Sequence, residues 1–518
     1  MISTTNYTIN YTTNQLVLPL EIGIKLEKNS EVYTYLELTK GIDLKKYFDR
    51  PEVKGRNRKN RVQILNAILF GFMVDVRSTR KIESACNNDI RFMYLLGEMN
   101  PPSHTLINEV MNEIKDKLDY LLLEINQEIM KREDLELEYL YIDGTKIEAD
   151  ANKYTFKWKK SIIKFREKLY KKMHKQILKY NQAMKVYGYK QLEKQEKYNS
   201  KEIQKILDRV LGLINHLGID LVYGKGKRKT EIQRLYDDIF AIQAKLVEYE
   251  KDLEIIGPNR NSYSKTDHDA TFMHMKEDHM RNAQLKPGYN VQIGVSNEYI
   301  MAIEAYQNGS DQLTFEPFLE KYNLLYEKYP KYPVADAGYG SYDNYIYCID
   351  HGMELYQKYN TWELERSKKH KNNIFHKDNF KIDSDGDYRC PRNKKFIKLY
   401  EYQSKYIRHE HIKIKYECDY CQRCRLKKKC TKAKGNRTIT EIKGFKEIKK
   451  KVQENLASEL GIKLRTQRSI QVEGAFGIIK EDMKFRRFTR TMFSGVQLEL
   501  NMIAIGYNLK KYYNKNYR

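Results

Sequence analysis

No apolar run in the 518-residue sequence is long enough to cross a bilayer. The longest, Ile64 to Val76, is interrupted by Asn66 and Asp75 and falls well short of the ~20 residues that a spanning helix needs. The opening stretch, Met1 to Ser30, lacks the basic-then-apolar order of a secretory signal. Both absences argue for the cytoplasm and against a membrane partner. Cysteine is scarce, seven residues in all. In a reducing compartment this excludes a disulfide framework and makes any cluster of cysteines a candidate metal site. Acidic residues are in deficit, 69 against 94 Lys and Arg, which leaves a formal charge of +25 and a pI near 9.3. Such an excess is unusual for a cytosolic enzyme of small molecules and suits a polyanion, with nucleic acid the first candidate. A general enrichment in Lys, alongside Tyr, Asn and Ile, is the competing compositional account.

A chain of this length exceeds one ordinary core and predicts three or four structural units. Residues 1–55 read as an irregular arm. From Arg61 the pattern becomes helical, with Ile64, Leu65, Ile68, Leu69 and Phe72 at helical spacing. Ser78-Thr79 marks the start of a second helix over Arg80 to Cys86. Pro101-Pro102-Ser103 opens a third, capped by Ser103, with Leu106, Ile107, Val110, Met111 and Ile114 on one face. Short helices in tight succession over 56–133 fit either a helix-turn-helix-like DNA reader or a plain bundle.

The run LEYLYI, Leu137 to Ile142, predicts a buried strand that ends in Asp143. A long helical stretch follows. Between Asn152 and Asp252 there are 25 Lys and Arg against 12 Asp and Glu, about half of the protein's net charge. The apolar stripe Ile203, Ile206, Leu207, Val210, Leu211 and Ile214, the break Gly224 to Thr230, and the stripe Leu235, Ile239, Ile242 and Leu246 predict a basic helical hairpin inserted over 152–255. Its basic residues Lys225, Lys227, Arg228, Lys229 and Arg234 are candidate phosphate contacts; the alternative is a solvated charged coil. Two strands, Tyr289 to Ser296 and Tyr299 to Tyr306, should meet at a turn around Asn297. Pro333 to Asp336 is a short strand that ends at a second carboxylate. A helix through Tyr345 and Ile349 and a strand over Met353 to Gln357 complete an α/β arrangement, in which sites lie at the carboxyl ends of strands.

Three acids carry the candidate chemistry. Asp143 and Asp336 close strands, and Glu473 lies in the helical segment Arg468 to Lys480. Two Mg²⁺ (or Mn²⁺) ions favour carboxylate oxygen ligands and can serve both the attacking and the leaving oxygen of a phosphodiester. Without metal, two carboxylates 4 Å apart repel by roughly 4 kcal/mol at an effective dielectric near 20. Glu148, Asp150, Asp267, Asp269 and Asp482 are competing acids, each better read as a surface charge or turn former.

Several motifs, taken in order, resemble one family. They are STRKIESACNNDIRFMYLLG (78–97), YIDGTKIEADANKY (141–154), TDHDA (266–270), KPGYNVQIGV (286–295), VADAGYGSYDNY (334–345) and VEGAFGIIKEDMKFRRFTRTMFSGVQLE (472–499). They look like the successive motifs of bacterial insertion-sequence DDE transposases, and most resemble the group named after insertion sequence eleven-eighty-two. The resemblance spans roughly residues 60–510. It implies an α/β fold with an RNase H-like catalytic core, in parts over 134–151, 256–360 and 456–518, behind a helical DNA-binding domain. It also implies the three acids Asp143, Asp336 and Glu473 as ligands of two Mg²⁺. The implied activity is cleavage and joining of double-stranded DNA at the inverted-repeat ends of a mobile element, by a protein acting as a homodimer on DNA. In related groups the third acid has a Tyr and an Arg before it and a Lys seven places after. Lys480 fills the last place, Thr466 stands at the Tyr place, and Ser469 stands at the Arg place with Arg468 one residue earlier. Arg468 and Lys480 are therefore candidate DNA-phosphate contacts. The rival readings are a non-catalytic DNA-binding relative and a nuclease of the same fold without joining activity.

Between the second and third acids, Cys390, Cys418, Cys421, Cys424 and Cys430 form a cluster with two overlapping C-x₂-C pairs. This is the spacing of thiolate zinc knuckles and predicts a structural Zn²⁺ in a basic insertion over 361–455, with Cys418 or Cys430 left over. From Lys415 to Arg468 there are 17 basic against 6 acidic residues, a second candidate DNA-contacting stretch. Cys86 and Cys348 stand in apolar surroundings and are expected in the core.

Overall fold

The computed structural model describes residues 26–48, 59–97, 99–224, 226–275, 284–384, 386–404 and 408–517. Most of the arm expected over 1–55 lies outside these residues, but its described part is helical. Helix α1 (Glu31–Thr39) buries Val32, Tyr35 and Leu38, a three-residue spacing that puts one apolar face on the core. Helices α2 (Arg61–Met73), α3 (Thr79–Asn88), α4 (Ile90–Leu96), α5 (His104–Glu113) and α6 (Leu118–Glu133) follow. Both expected caps are made: Ser78 accepts from Lys81 N–H at 3.2 Å and Ser103 from Leu106 N–H at 3.3 Å.

The central sheet has five strands. Strand β1 (Tyr139–Glu148) is followed by the short strands β2 (Phe156–Trp158) and β3 (Ser262–Ser264), which pair with each other away from the sheet. Strands β4 (Thr271–His274), β5 (Leu285–Ser296) and β6 (Tyr299–Tyr306) come next, and after helix α10 (Phe315–Tyr326) comes β7 (Tyr332–Ala335). Strand β5 is antiparallel to β1 on one edge, while β4 and β6 share its other edge; β7 lies parallel to β1. The β5–β6 turn falls on Asn297 and Glu298, both with positive φ, as the twist of a two-residue hairpin requires.

Two strand expectations are corrected. Strand β1 does not end at Asp143 but continues to Glu148, because β5 pairs along it as far as Gly288. The stretch 353–357 lies beside β7 yet forms no ladder with it. Pro333 has no N–H to offer, and its carbonyl is taken by the side-chain amide of Gln357, while Glu354 N–H bonds Lys331 O at 2.9 Å. Helix α11 (Tyr342–Asp350) forms as expected, capped by Ser341.

The basic segment is also corrected, from a hairpin to three helices: α7 (Lys159–Val186), α8 (Ser200–His216) and α9 (Glu231–Ile256). Leu169, Met173, Ile177, Tyr180 and Met184 give α7 an apolar stripe hidden among its lysines. It packs with the stripes of α8 and α9 into a core separate from that of the sheet. The β2–β3 pair closes the base of this unit.

The Cys-rich region contains helices α12 (Trp362–Arg366) and α13 (Lys368–Lys371), the hairpin β8 (Lys381–Ile382) and β9 (Tyr388–Arg389), and an antiparallel sheet of β10 (Phe396–Gln403), β11 (Ile412–Cys418) and β12 (Thr438–Ile442), with α14 (Lys427–Cys430) between the last two strands. Helix α15 (Phe445–Ala457) leads into α16 (Glu459–Arg468). This runs on through a π-helical turn (Ser469–Glu473), α17 (Gly474–Gly477) and a second π turn (Ile478–Asp482).

The last helix, α18 (Met492–Tyr517), is buried over most of its middle against α2, α6 and β6. A Cβ at Gly506 would lie 2.5 Å from Phe72 O, so only glycine permits this approach. Inside the junction, Asn508 accepts from Ile300 N–H at 2.8 Å and donates to Ile300 O at 2.8 Å and Asn126 Oδ1 at 2.6 Å; both asparagines are fully buried. Asn508→Leu is expected to destabilise the protein by about 2–4 kcal/mol, because it removes the partners of the Ile300 N–H and of Asn126 Oδ1 in the core. Chemical denaturation measures this, and a loss under about 0.5 kcal/mol would contradict the role given to Asn508.

Candidate active site and nucleic-acid interface

The parallel register of β1 and β7 pairs Ile142 with Ala335. Asp143 and Asp336 are the next residues of their strands, so the sheet sets these two carboxylates side by side where β7 ends. Asp143 is buried to 9% exposure, and its Oδ1 accepts from Gly144 N–H at 2.8 Å. Asp336 accepts from Gly338 N–H at 2.7 Å, a turn that fixes its side chain.

A third acid of this cluster, Asp311, was not singled out from the sequence. It begins a short 3₁₀ turn (Asp311–Leu313) after β6 and accepts from Asn290 Nδ2 at 2.7 Å and Gln292 Nε2 at 3.1 Å. A Cβ on Gly144 would collide with the Gln292 amide and lie 2.9 Å from Asp311 Oδ1. One on Gly338 would lie 3.0 Å from Asp336 Oδ1 and 3.6 Å from Asp311 Oδ2. The two glycines thus leave the space into which these carboxylates point. Below them Tyr339 is fully buried and donates to Gln292 Oε1. Burial first, then the charges of Asp311, Asp143 and Asp336, hold its hydroxyl well above the usual tyrosine range, while Arg468 opposes them. The legible signal for Asp311 was its place just after a strand, in the polar turn Asn308-Gly-Ser-Asp311.

The helical segment carrying the third acid packs over β1, β5 and β7. Arg468 Nη1 lies 3.2 Å from Asp143 Oδ2, with both side chains largely shielded. Arg468 is thus directed toward a carboxylate rather than outward to a phosphate. Glu473 is exposed and accepts from Ser469 Oγ at 2.8 Å. In an α-helix a five-residue step turns a side chain by about 140°. The turn over Ser469–Glu473 is π-helical, so the step from Arg468 to Glu473 departs from that α-helical angle. Lys480 lies in the second π turn and is half-buried. Asp143, Asp336 and Glu473 do not form a group with ligand atoms within 4.8 Å of one another; among the described residues the group that does is His370, His376 and Asp378.

The competing acids have other partners. Asp267 accepts from Tyr289 OH at 3.0 Å and Met492 N–H at 3.3 Å, and burial raises its carboxyl above the usual range. Asp269 accepts from Phe493 N–H at 2.8 Å, so this pair fastens β5 to the start of α18. Glu148 faces Lys153 and Lys286, each at 3.3 Å, and Asp150 pairs with Arg487 at 3.0 Å. Asp482 is exposed.

All five clustered cysteines line one cavity of about 230 Å³. Cys390 Sγ accepts from Arg392 and Lys394 N–H, both at 3.3 Å, and Cys421 Sγ from Arg437 N–H at 3.5 Å. Burial, then the neighbouring Cys421, pushes the Cys418 thiol up to about 12, and Cys390 adds to the shift. Cys430 Sγ is bonded by Arg437 Nη1 at 2.9 Å. Cys86 and Cys348 are buried in the main core.

Among the phosphate candidates of the inserted helices, Lys227 and Arg228 are exposed in the α8–α9 loop and Arg234 on α9. Lys229 is paired with Asp237 at 2.7 Å, and Lys225 lies outside the described residues. A second basic surface was not anticipated. Arg77, Arg80, Lys81, Lys484, Arg487 and Arg490 surround a cavity of about 530 Å³ between the first turn of α3 and the stretch before α18. Its residues come from two short basic runs, RSTRK (77–81) and KFRRFTR (484–490), which are distant in sequence and meet only in the fold.

A family model described as "Transposase domain (DUF772)" matches residues 27–113, and one described as "Transposase DDE domain" matches residues 389–513. The second contains Glu473, Arg468, Lys480 and the cysteine cluster; Asp143 and Asp336 lie outside both. No curated protein and no solved structure matches the chain. The mixed α/β fold and a DDE domain define a nucleic-acid-processing enzyme that uses divalent metal. The two matches, which together cover less than half of the chain, indicate a bacterial insertion-sequence DDE transposase. Among the described residues, no helix is long and apolar enough to cross a membrane.

Proposed function

We propose that this transposase binds the terminal inverted repeats of an insertion sequence and catalyses strand cleavage followed by strand transfer, through a core of the RNase H-like type. The observation that carries the reading is the side-by-side placement of Asp143 and Asp336 on parallel strands beneath the helical segment that bears Glu473. The sheet order, antiparallel β6–β5–β1 followed by parallel β7, supports the assignment of the core. The resemblance to the insertion sequence eleven-eighty-two group is part of the same proposal, as are action as a homodimer on DNA and a place at the nucleoid.

The donor set fits Mg²⁺ or Mn²⁺. Asp143, Asp311 and Asp336 crowd one buried tyrosine, with the guanidinium of Arg468 beside Asp143, and three carboxylate oxygens near one another suit a hard divalent ion. Asp143, Asp336 and Glu473 would hold the ions, whose bound form supplies charge stabilisation at the attacking and leaving oxygens of a phosphodiester. Arg468 orients Asp143, and Lys480 faces the DNA backbone. The hydrolytic step leaves a 3′-OH on the element's end, and that hydroxyl displaces a 3′-oxygen in target DNA, exchanging one phosphodiester for another. The α7–α9 unit and the cavity beside α3 track phosphates on either side of the cut. A structural Zn²⁺ on Cys390, Cys418, Cys421 and Cys424 is supported by the amide N–H groups aimed at Cys390 and Cys421. Cys430, held by Arg437, is then the spare thiol.

The test uses the purified protein, Mg²⁺ or Mn²⁺, a plasmid target, and duplexes carrying the inverted repeats that flank the gene. Cleavage at the repeat boundary and joined products are expected, with neither on scrambled ends. Sequence-specific binding without cleavage would replace this reading with a non-catalytic relative, and cleavage without joining would leave a nuclease.

A further inference from the structure

Outside the acidic site and the cysteine cavity, one loop gathers two imidazoles and a carboxylate. His370 lies in the short helix α13, and His376 and Asp378 flank Lys377 at the next 3₁₀ turn. His376 Nδ1 lies 3.2 Å from Asp378 Oδ2 and His370 Nε2 lies 3.8 Å from the same oxygen. The two rings sit 4.2 Å apart. One ligand atom from each residue lies within 4.8 Å of the other two. Ligands about 2.0–2.2 Å from a tetrahedral ion are separated by roughly 3.4 Å, so small side-chain rotations complete the set. The loop is already held for this. Asn379 Nδ2 bonds His370 O at 2.7 Å and Asn373 O at 3.0 Å, and the His370 side chain is only 6% exposed.

A second observation points the same way. His376 and Asp378 line a cavity of about 650 Å³ together with His411, Tyr342, Asp343 and Glu441. His411 is 9% exposed and stacked on Tyr342, yet neither of its ring nitrogens has a hydrogen-bond partner among the described residues. A buried imidazole without partners is costly unless something in the cavity bonds it.

We propose that His370, His376 and Asp378 bind a divalent transition-metal ion of the zinc class, with the remaining position open to the cavity that His411 faces. Two imidazoles with one carboxylate select Zn²⁺ or Co²⁺ over Mg²⁺, whose preference is for oxygen ligands. The ion joins α13 to the 3₁₀ turn and stiffens the wall of the cavity, next to the Ser341–Asp343 start of α11. The site is independent of both the catalytic acids and the cysteines.

The test is a Co²⁺ titration of the metal-stripped full-length chain in excess Mg²⁺, which fills oxygen sites without competing for imidazole. It is run in a Cys421→Ser/Cys424→Ser background, which breaks both C-x₂-C pairs, with circular dichroism confirming that this background keeps the parent's fold. About one Co²⁺ is expected to bind, with d–d absorption and no thiolate charge-transfer band. His376→Ala and Asp378→Asn should each weaken that binding by more than the roughly 10–100-fold that loss of an outer-shell partner costs. Asp378 is exposed, so its Asn variant should keep the fold, which circular dichroism of the metal-free protein checks. If the cysteine variant binds no Co²⁺, or if Asp378→Asn binds it as tightly as the parent, the three residues are a hydrogen-bonded cluster and the proposal is overturned.

Discussion

Asp143→Asn, Asp336→Asn and Glu473→Gln are each expected to abolish Mg²⁺-dependent strand cleavage while leaving DNA binding intact. The amides keep the shape of the acids but lose the charge that holds a divalent ion, and with it both nucleophile activation and charge stabilisation. The expected loss is several orders of magnitude in rate for each variant. Binding should be spared because removing negative charge cannot weaken contact with a polyanion. Folding should also be spared. Asp143 and Asp336 lie near Asp311 around one buried tyrosine, and neutralising either relieves repulsion in the metal-free state. Asp143→Asn differs in one respect, since it also weakens the contact with Arg468. Its metal-free stability should therefore gain less than that of Asp336→Asn. Cleavage assays at saturating DNA, with binding measured separately, decide the matter. A variant that retains cleavage within about tenfold of the parent is not a metal ligand, and its place in the assignment falls.

Removing the exposed charge of the inserted helices is expected to change binding instead of chemistry. Between Asn152 and Asp252, basic residues exceed acidic ones by 13, and the described members Lys227, Arg228 and Arg234 are exposed. Lys229 spends its charge on Asp237 and should contribute less. Binding that neutralises Z phosphates weakens with salt with a log–log slope of roughly −0.9Z. If Lys225, Lys227, Arg228 and Arg234 supply three or four contacts, replacing these and Lys229 with Ala should flatten the slope by about 3 units, equally for all sequences. The α7–α9 unit has its own apolar core, and the four described positions lie in the α8–α9 loop or at the start of α9, so the fold should persist. Cleavage at saturating DNA should persist as well. Charges that merely decorate a solvated surface are screened beyond about 10 Å at 0.1 M salt and would leave the slope nearly unchanged. A change under about one unit would reject the DNA contact and leave the acids untouched.

What could be read directly was local. Ser78 and Ser103 start helices because their hydroxyls accept amide protons within three residues, a property of the chain alone. The Asn297 turn follows from adjacent residues that tolerate positive φ. Asp143 and Asp336 became candidates through the motifs around them, YIDGTKIEADANKY and VADAGYGSYDNY, which resemble those of a family; residue type alone did not separate them from the other acids. Where local signals were diluted, the reading erred. The α7 stripe lies among lysines and was not resolved as a helix of its own, and the α1 stripe is only three residues deep. The 353–357 stretch has strand composition, but its neighbour contains Pro333 and cannot complete the ladder.

The sequence by itself determined the charge balance, the caps and the apolar stripes, since each depends on residues within a few positions of one another, and it offered the acids as candidates. Only the tertiary structure decided which of those acids meet. The parallel register of β1 on β7 brings Asp143 and Asp336 together across 193 positions, and the turn after β6 adds Asp311 through hydrogen bonds from β5. The fold also directs Arg468 onto Asp143, 325 positions away in sequence. These are distances between segments that approach only when the sheet pairs and α18 closes over it, and no periodicity within a segment encodes them.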